Sequence, residues 1–254
     1  MFRIRIQNKK KCIWYCSAVV SFLLFLLLLG WTNHLANTQD AQQMAGRWSE
    51  KKDVAQISCF FSSKAEVTED TIQSFEYSLK NVLQEASITE TSENPSARLW
   101  VDAYSADGKI TLVNGKNTLD ANAIGIGGDF FMFHPLKLIT GAYFSGNDLM
   151  QDYCIIDQDA AWQLFGSNDV VGMTVYIGNV PHIVTGVVQR PDSRMDKAAG
   201  LNSTVVYVSY ETLSAYGTNN GINHYEIVMP NPVDEFAYGK VKEGIGIDEK
   251  NVEI

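Results

Sequence analysis

The sequence predicts an α+β fold, in which a single N-terminal transmembrane helix is followed by a mixed extracytoplasmic domain of hairpins and short helices. Three observations carry that prediction. Ile13 to Trp31 is a run of 19 residues without a charge, which at about 1.5 Å per helical residue matches the hydrocarbon core of a bilayer. Behind it, short β-rich segments are punctuated by Gly and Asn turns, with no alternating strand-helix-strand series. Only one long segment, opening at Thr68, carries helical periodicity.

Charge sets the orientation of the first element. Residues 1–12 hold Arg3, Arg5, Lys9, Lys10 and Lys11 and no acid, so they are expected on the cytoplasmic side, with the chain beyond the 13–31 helix outside. Trp14, Tyr15 and Trp31 stand at the helix ends, where aromatic rings prefer the membrane interface. A cleaved secretory signal shares the basic start. The apolar run is longer than a signal core, however, and Thr32 to Asn37 offers no small-x-small cleavage site. An uncleaved anchor in the lipid bilayer is therefore the expectation. The whole chain carries a formal charge of -9, and an anionic outer body repels phosphate backbones, so no nucleic-acid partner is expected. With 46% hydrophobic and 19% charged residues it has the composition of a packed protein.

The elements follow in order. Residues 32–53 are polar and read as a stalk, and residues 54–230 as the folded core. Val54 to Phe61 is a strand. Thr68 caps a helix on which Ile72, Phe75, Leu79, Val82 and Leu83 share one face, with Glu69 and Asp70 in the first turn. Ser92 to Ala97 is a loop. Arg98 to Tyr104 and Lys109 to Val113 are strands flanking an Asp107-Gly108 turn, with a second turn at Asn114-Gly115 and a short strand over Ala123 to Ile126. Cys154 to Ile156 is a buried strand, and Asp157 caps a helix from Gln158 to Phe165 that Gly166 closes. Met173 to Ile177 and Val180 to Val188 form a hairpin about Gly178-Asn179, expected as type II′. Gln189 to Asn202 is a polar loop, Thr204 to Val208 a strand and Tyr225 to Met229 the last strand, before a weakly periodic acidic tail over residues 231–254.

A search for chemistry finds little. His34, His134, His182 and His224 lie in no metal-ligand spacing, so no metal site is expected. Gly125 to Gly128 lacks the Lys-Ser/Thr of a phosphate loop and the dinucleotide fingerprint, and no GxSxG elbow is present. Asp152, Asp157 and Asp159 match no cation loop, and Asp157 already has a role as a cap. No catalytic residue and no cofactor is expected, and the chain is read as a non-enzyme. Cys59 and Cys154 lie in apolar, strand-like sequence and either pair as a disulfide or remain two buried thiols. Cys12 and Cys16 flank or enter the membrane helix, where either palmitoylation of a juxtamembrane thiol or lipid-facing packing is expected. Phe130, Phe131 and Phe133, beside His134 and Pro135, form either a contact patch or core packing. Asn202-Ser203-Thr204 is a glycosylation sequon that matters only in a glycosylating host.

The runs GDFFMFHPLKLITGAYFSGND and CIIDQDAAWQLFGSNDVVGMTVYIGNVPHIVTGVV, within Gly128 to Val188, are less anonymous. With Gly141, Phe144 and Asp148, the helix end Leu164-Phe165-Gly166, the Val171-Gly172 turn and the Ile183 to Val187 strand, the sequence resembles the MacB-like periplasmic core domain. That domain is found in ABC transporter permeases of the MacB and FtsX-like superfamily. The likeness extends over roughly residues 13–230 and includes Val206 to Val208 and Tyr210 to Leu213. It implies an outer domain, non-catalytic by itself, coupled through the membrane to an ABC ATPase subunit and a further permease subunit, in export or in mechanical signalling. An extracellular protein or peptide is a further expected partner. The chain departs from the pattern because no later stretch approaches a membrane span and no Walker motif is present. It is accordingly expected to be a truncated, split or free-standing relative. The alternative reading is a membrane-tethered binding or adaptor module that takes no part in transport.

Overall fold

The structure is a computed structural model that describes residues 2–37, 39–49, 53–89, 97–191, 194–198 and 203–254. Asn94-Pro95, Asn202 and parts of the 189–202 loop lie outside the described residues. The chain divides into two units, Met1–Gln43 and Met44–Ile254. In the first, helix α1 (Phe2–Asn37) contains the apolar stretch Ile13–Leu35, long and apolar enough to cross a membrane and exposed along its length.

The second unit begins ten residues earlier than the expected core. Helix α2 (Met44–Trp48) lies within the region read as a stalk, yet Met44 is buried, and its backbone N–H donates to Gln56 Oε1 at 3.0 Å. Strand β1 (Val54–Phe61) and helix α3 (Glu69–Glu85) fall where the sequence places them. Ile72, Phe75, Leu79 and Leu83 are buried on one face of α3.

The next expectation fails. Strand β2 runs unbroken over Val101–Asn114, through Asp107-Gly108, and pairs along its length with β3 (Asn117–Gly128). Asp107 is held extended from the side, since its N–H donates to Asn223 Oδ1 at 3.0 Å and its Oδ2 accepts from Asn223 Nδ2 at 2.6 Å. Gly108 is needed for close approach. A Cβ there would lie 2.3 Å from the Thr218 carbonyl oxygen. The hairpin turns at Gly115-Lys116, one position past the expected Asn114-Gly115 turn, between the paired residues Asn114 and Asn117.

Short helix α4 (Phe130–Phe133) and strand β4 (Leu138–Gly141) follow, then β5 (Tyr153–Asp157) and helix α5 (Gln158–Phe165). Strands β6 (Thr174–Ile177) and β7 (Val180–Val188) form the next hairpin. Its turn residues Gly178 and Asn179 both have positive φ, 55° and 67°, which is the type I′ pattern rather than the expected II′. Helix α6 (Arg194–Ala198) interrupts the polar loop, after which come β8 (Val205–Ser209), helix α7 (Tyr210–Tyr216), β9 (Thr218–Asn219) and β10 (His224–Pro230).

Residues 231–254 are no tail. Helix α8 (Phe236–Gly244) buries Ala237 and Val241, with Ile245 buried just beyond it, and β11 (Val252–Glu253) pairs with β1. The apolar stripe at 237, 241 and 245 is short and two glycines lie within the helix, which is why no helical period stands out in the sequence.

Pairings resolve this unit into two lobes that share β2. In the first, the antiparallel order β11-β1-β10-β2, with α3 after β1 and α8 after β10, is a split βαβ frame of ferredoxin-like topology. Residues 115–223 are inserted between its two middle strands. In the second lobe, pairings run from β2 to β3, β8, β5, β7 and β6 and back to β2, closing a ring of six strands. The ring contains Ile110, Leu112, Cys154, Ile156, Val175, Ile177, Val184, Val206 and Val208, all buried in one cluster. Cys59, Tyr225, Ile227 and the buried face of α3 form a second cluster, and Val101, Ala103 and the α4 aromatics a third.

Candidate functional site

Alternation along β2 positions the site. Val101 and Ala103 face the α4 aromatics, so Trp100, Asp102 and Tyr104 point the other way, toward α3. Glu76 meets them from the helix, four residues after Ile72 and three before Leu79, within the apolar face. From β10 comes Tyr225, fully buried and edge-on to Phe75 at 5.7 Å. A buried phenol needs a polar partner. Tyr225 donates its hydroxyl proton to Asp102 Oδ2 at 3.1 Å.

Glu76 and Asp102 line a cleft of about 560 Å³, with Lys80, Arg98, Trp100 and Tyr104 around the carboxyls and Tyr225 buried behind them. Glu76 and Asp102 are hydrogen-bonded to each other. Burial first, then the Asp102 charge and hydrogen bond, push Glu76 up to about 8. Burial also raises Asp102, opposed by the hydrogen bonds it accepts. Tyr104 and Tyr225 are likewise pushed up, chiefly by burial. At the rim Arg98 pairs with Asp129 at 2.5 Å, and the Asp129 N–H donates to the Asp102 carbonyl at 2.9 Å. The cluster therefore stands where the ferredoxin-like frame meets the inserted lobe. The sequence signal for it was a lone acid, Glu76, on an otherwise apolar helix face.

The residues singled out in the sequence are dispersed. Asp157 caps α5, accepting from Ala160 N at 2.7 Å, while Asp159 pairs with Arg190 and Asp152 Oδ1 is buried with no hydrogen-bond partner among the described residues. His134 sits against Glu226, His224 edge-on to Phe60 at 5.1 Å, and His34 lies in α1. His182 is buried with Thr212 and Ser209, its Nε2 3.1 Å from Thr212 Oγ1 and Ser209 Oγ 2.9 Å from the same oxygen. That chain of hydroxyls has no opening to solvent at these side chains, which are at most 4% exposed. Among the described residues no group of three or more His, Cys, Asp or Glu side chains is placed to hold a metal ion. Phe130, Phe131 and Phe133 are core, with Phe131 stacked on Tyr143 at 4.5 Å. Met132 in the same helix is exposed, as are Leu149 and Met150.

Cys59 and Cys154 are free thiols. One lies beneath α3 and the other inside the strand ring, five strand positions apart in the sheet order. At about 4.8 Å per strand, that spacing far exceeds the reach of a disulfide.

The profile of the MacB-like periplasmic core domain matches residues 20–249. The chain belongs to this family. Its MacB-like domain is 32% identical over 99 residues to the macrolide export ATP-binding/permease protein MacB of Chromobacterium violaceum, covering 38% of this chain and 15% of that protein. The corresponding protein of Pasteurella multocida is 30% identical over 98 residues, 38% of this chain and 14% of that one. The chain thus spans a small part of the length of these relatives. Among solved structures, the extracellular domain of the noncanonic ABC-type transporter YknZ superposes with a TM-score of 0.48 at 17% identity, covering 78% of this chain and 98% of that one. The periplasmic region of MacB from Actinobacillus actinomycetemcomitans gives 0.48 at 20% identity, covering 80% and 87%. An N-terminal apolar helix followed by a periplasmic-type domain fits a single-pass membrane protein.

Proposed function

We propose that this chain supplies the membrane-anchored outer domain of an ABC transporter permease. It is non-catalytic by itself and works with an ATP-hydrolysing component and a multi-span permease component, whether on this polypeptide or another. The observation that supports the reading is the family match, which runs from within the apolar helix through both lobes. The basic residues before Ile13 favour a cytoplasmic N-terminus, with α1 in the bilayer and the lobes outside. A closed strand ring continuous with the frame through β2 would pass movement from one lobe to the other. Export and transmission of a mechanical signal both use such a coupling.

Isolation of the tagged chain from its native membrane in mild detergent, with mass spectrometry of what accompanies it and an ATPase assay, tests the proposal. Recovery of an ATP-binding subunit and ATPase activity is the expected result. Recovery of the chain alone, without activity, overturns it in favour of a tethered adaptor.

A further inference from the structure

We propose that Glu76 and Asp102 form a proton-held latch between α3 and β2, in which one shared proton seats the helix on the sheet and its loss loosens α3 around the cleft. The inference does not rest on the transporter reading. It rests on which groups share the seam.

Asp102 is approached by two hydrogen-bond donors. The Tyr225 hydroxyl lies 3.1 Å from Oδ2, and the Glu76 carboxyl shares a hydrogen bond with the same side chain. A carboxylate only accepts, so with Asp102 ionised Glu76 must carry the proton. Two carboxylates in contact in a partly desolvated seam repel each other, which favours retaining one proton between them.

Two cations stand near the pair, Arg98, whose charge opposes the rise of Asp102, and Lys80 in the cleft lining, against four acids, Glu69, Glu76, Asp102 and Asp129. On α3 itself, Glu69 adds negative charge near Glu76 and Tyr104, and Lys80 lines the cleft. β2 contributes Asp102 and Tyr104, and β10 contributes Tyr225. From β1 comes Cys59, a buried thiol raised to about 12 by burial and by Glu226. Arg98 is engaged by Asp129 at the rim. On α8, Lys240 and Glu243 pair at 3.6 Å and line a separate small cleft with Phe75 and Leu79. Acids dominate the seam, so the proton takes the place of a cation.

The direction of the pH effect follows from linkage. Glu76 is raised from 4.5 to about 8 in the folded protein. Between those values the unfolded chain releases a proton that the folded chain keeps. The folded state therefore binds more protons, and stability falls as pH rises through that window. Below it the latch is fully closed.

The experiment uses the full chain in detergent, with thermal unfolding followed from pH 6 to pH 9. Wild type is expected to lose at least ~4 °C more across that range than Glu76→Gln, whose amide still donates to Asp102 but cannot ionise. Equal pH slopes within about 1 °C would overturn the latch. Should the variant fail to fold, carboxyl carbon shifts of glutamate-labelled wild type decide the matter. One glutamate titrating above pH 7 is expected, and all glutamates titrating below pH 6 would sink the proposal.

Discussion

Asp157 Oδ2 accepts the Val205 backbone N–H at 3.1 Å while Oδ1 accepts that of Ala160 at 2.7 Å, so one carboxylate both starts α5 and fixes the beginning of β8. Both strands it serves, β5 and β8, belong to the closed ring. The carboxylate is only 1% exposed. Replacing Asp157 by Ala removes a helix cap and leaves a backbone N–H unpaired. The expected loss is about 2 kcal/mol, read from the urea midpoint at constant slope. Asp157→Asn keeps one acceptor oxygen and should fall between the two.

His182 ties β7 to α7. Its Nδ1 faces the Val180 carbonyl at 3.0 Å and its Nε2 lies 3.1 Å from Thr212 Oγ1, whose own hydroxyl donates to the Gln151 carbonyl at 3.0 Å. His182→Ala would open a cavity and leave the Thr212 hydroxyl with a partner fewer. It should cost on the order of 3 kcal/mol, with a lowered melting temperature as the readout. Because the trio is sealed from solvent, a serine-phosphonylating probe such as a fluorophosphonate should not label Ser209 in the native protein. Labelling there would contradict a purely structural role.

Both deep cysteines should be silent in the native state. Burial pushes Cys59 and Cys154 up to about 12, so thiolate is scarce at neutral pH and access is lacking as well. After denaturation without reductant, both peptides should carry an alkylating label. A disulfide-linked Cys59–Cys154 peptide in the same digest would contradict the lobe assignment.

Much of this architecture was legible in the residues. Thr68 and Asp157 announced helices because capping is local chemistry, and β1 read correctly because its β-formers are contiguous. Failures came where distant residues decide. Asp107-Gly108 is a good turn pair by itself, but Asn223 and Thr218, more than a hundred residues on, hold it extended. The turn at Gly178-Asn179 was placed correctly and mistyped, since Asn tolerates the positive φ that makes it I′. Glu76 stands on the α3 face read through Ile72, Phe75, Leu79 and Leu83, and that apolar pattern passes over it. Its partners on β2 and β10 became known only once the insertion between those strands was closed up, which no spacing in the sequence encodes.

The C-terminal segment offers the sharpest contrast between sequence expectation and packing. Val241 is completely buried among the residues beneath α3, whereas Val233, eight positions earlier, is 64% exposed. If residues 231–254 were a solvated tail, an aspartate at either position would be tolerated. Within the ferredoxin-like frame the two differ. Val241→Asp places an unpaired carboxylate against the α3 side of the sheet and should destabilise the protein by on the order of 4 kcal/mol. Val233→Asp should change stability by less than about 0.5 kcal/mol. Paired urea titrations of the two variants give the answer directly. Equal midpoints would mean that α8 does not close the frame, and a selective loss in Val241→Asp would mean that the lobe carrying Glu76 and Asp102 depends on its last helix as much as on its first.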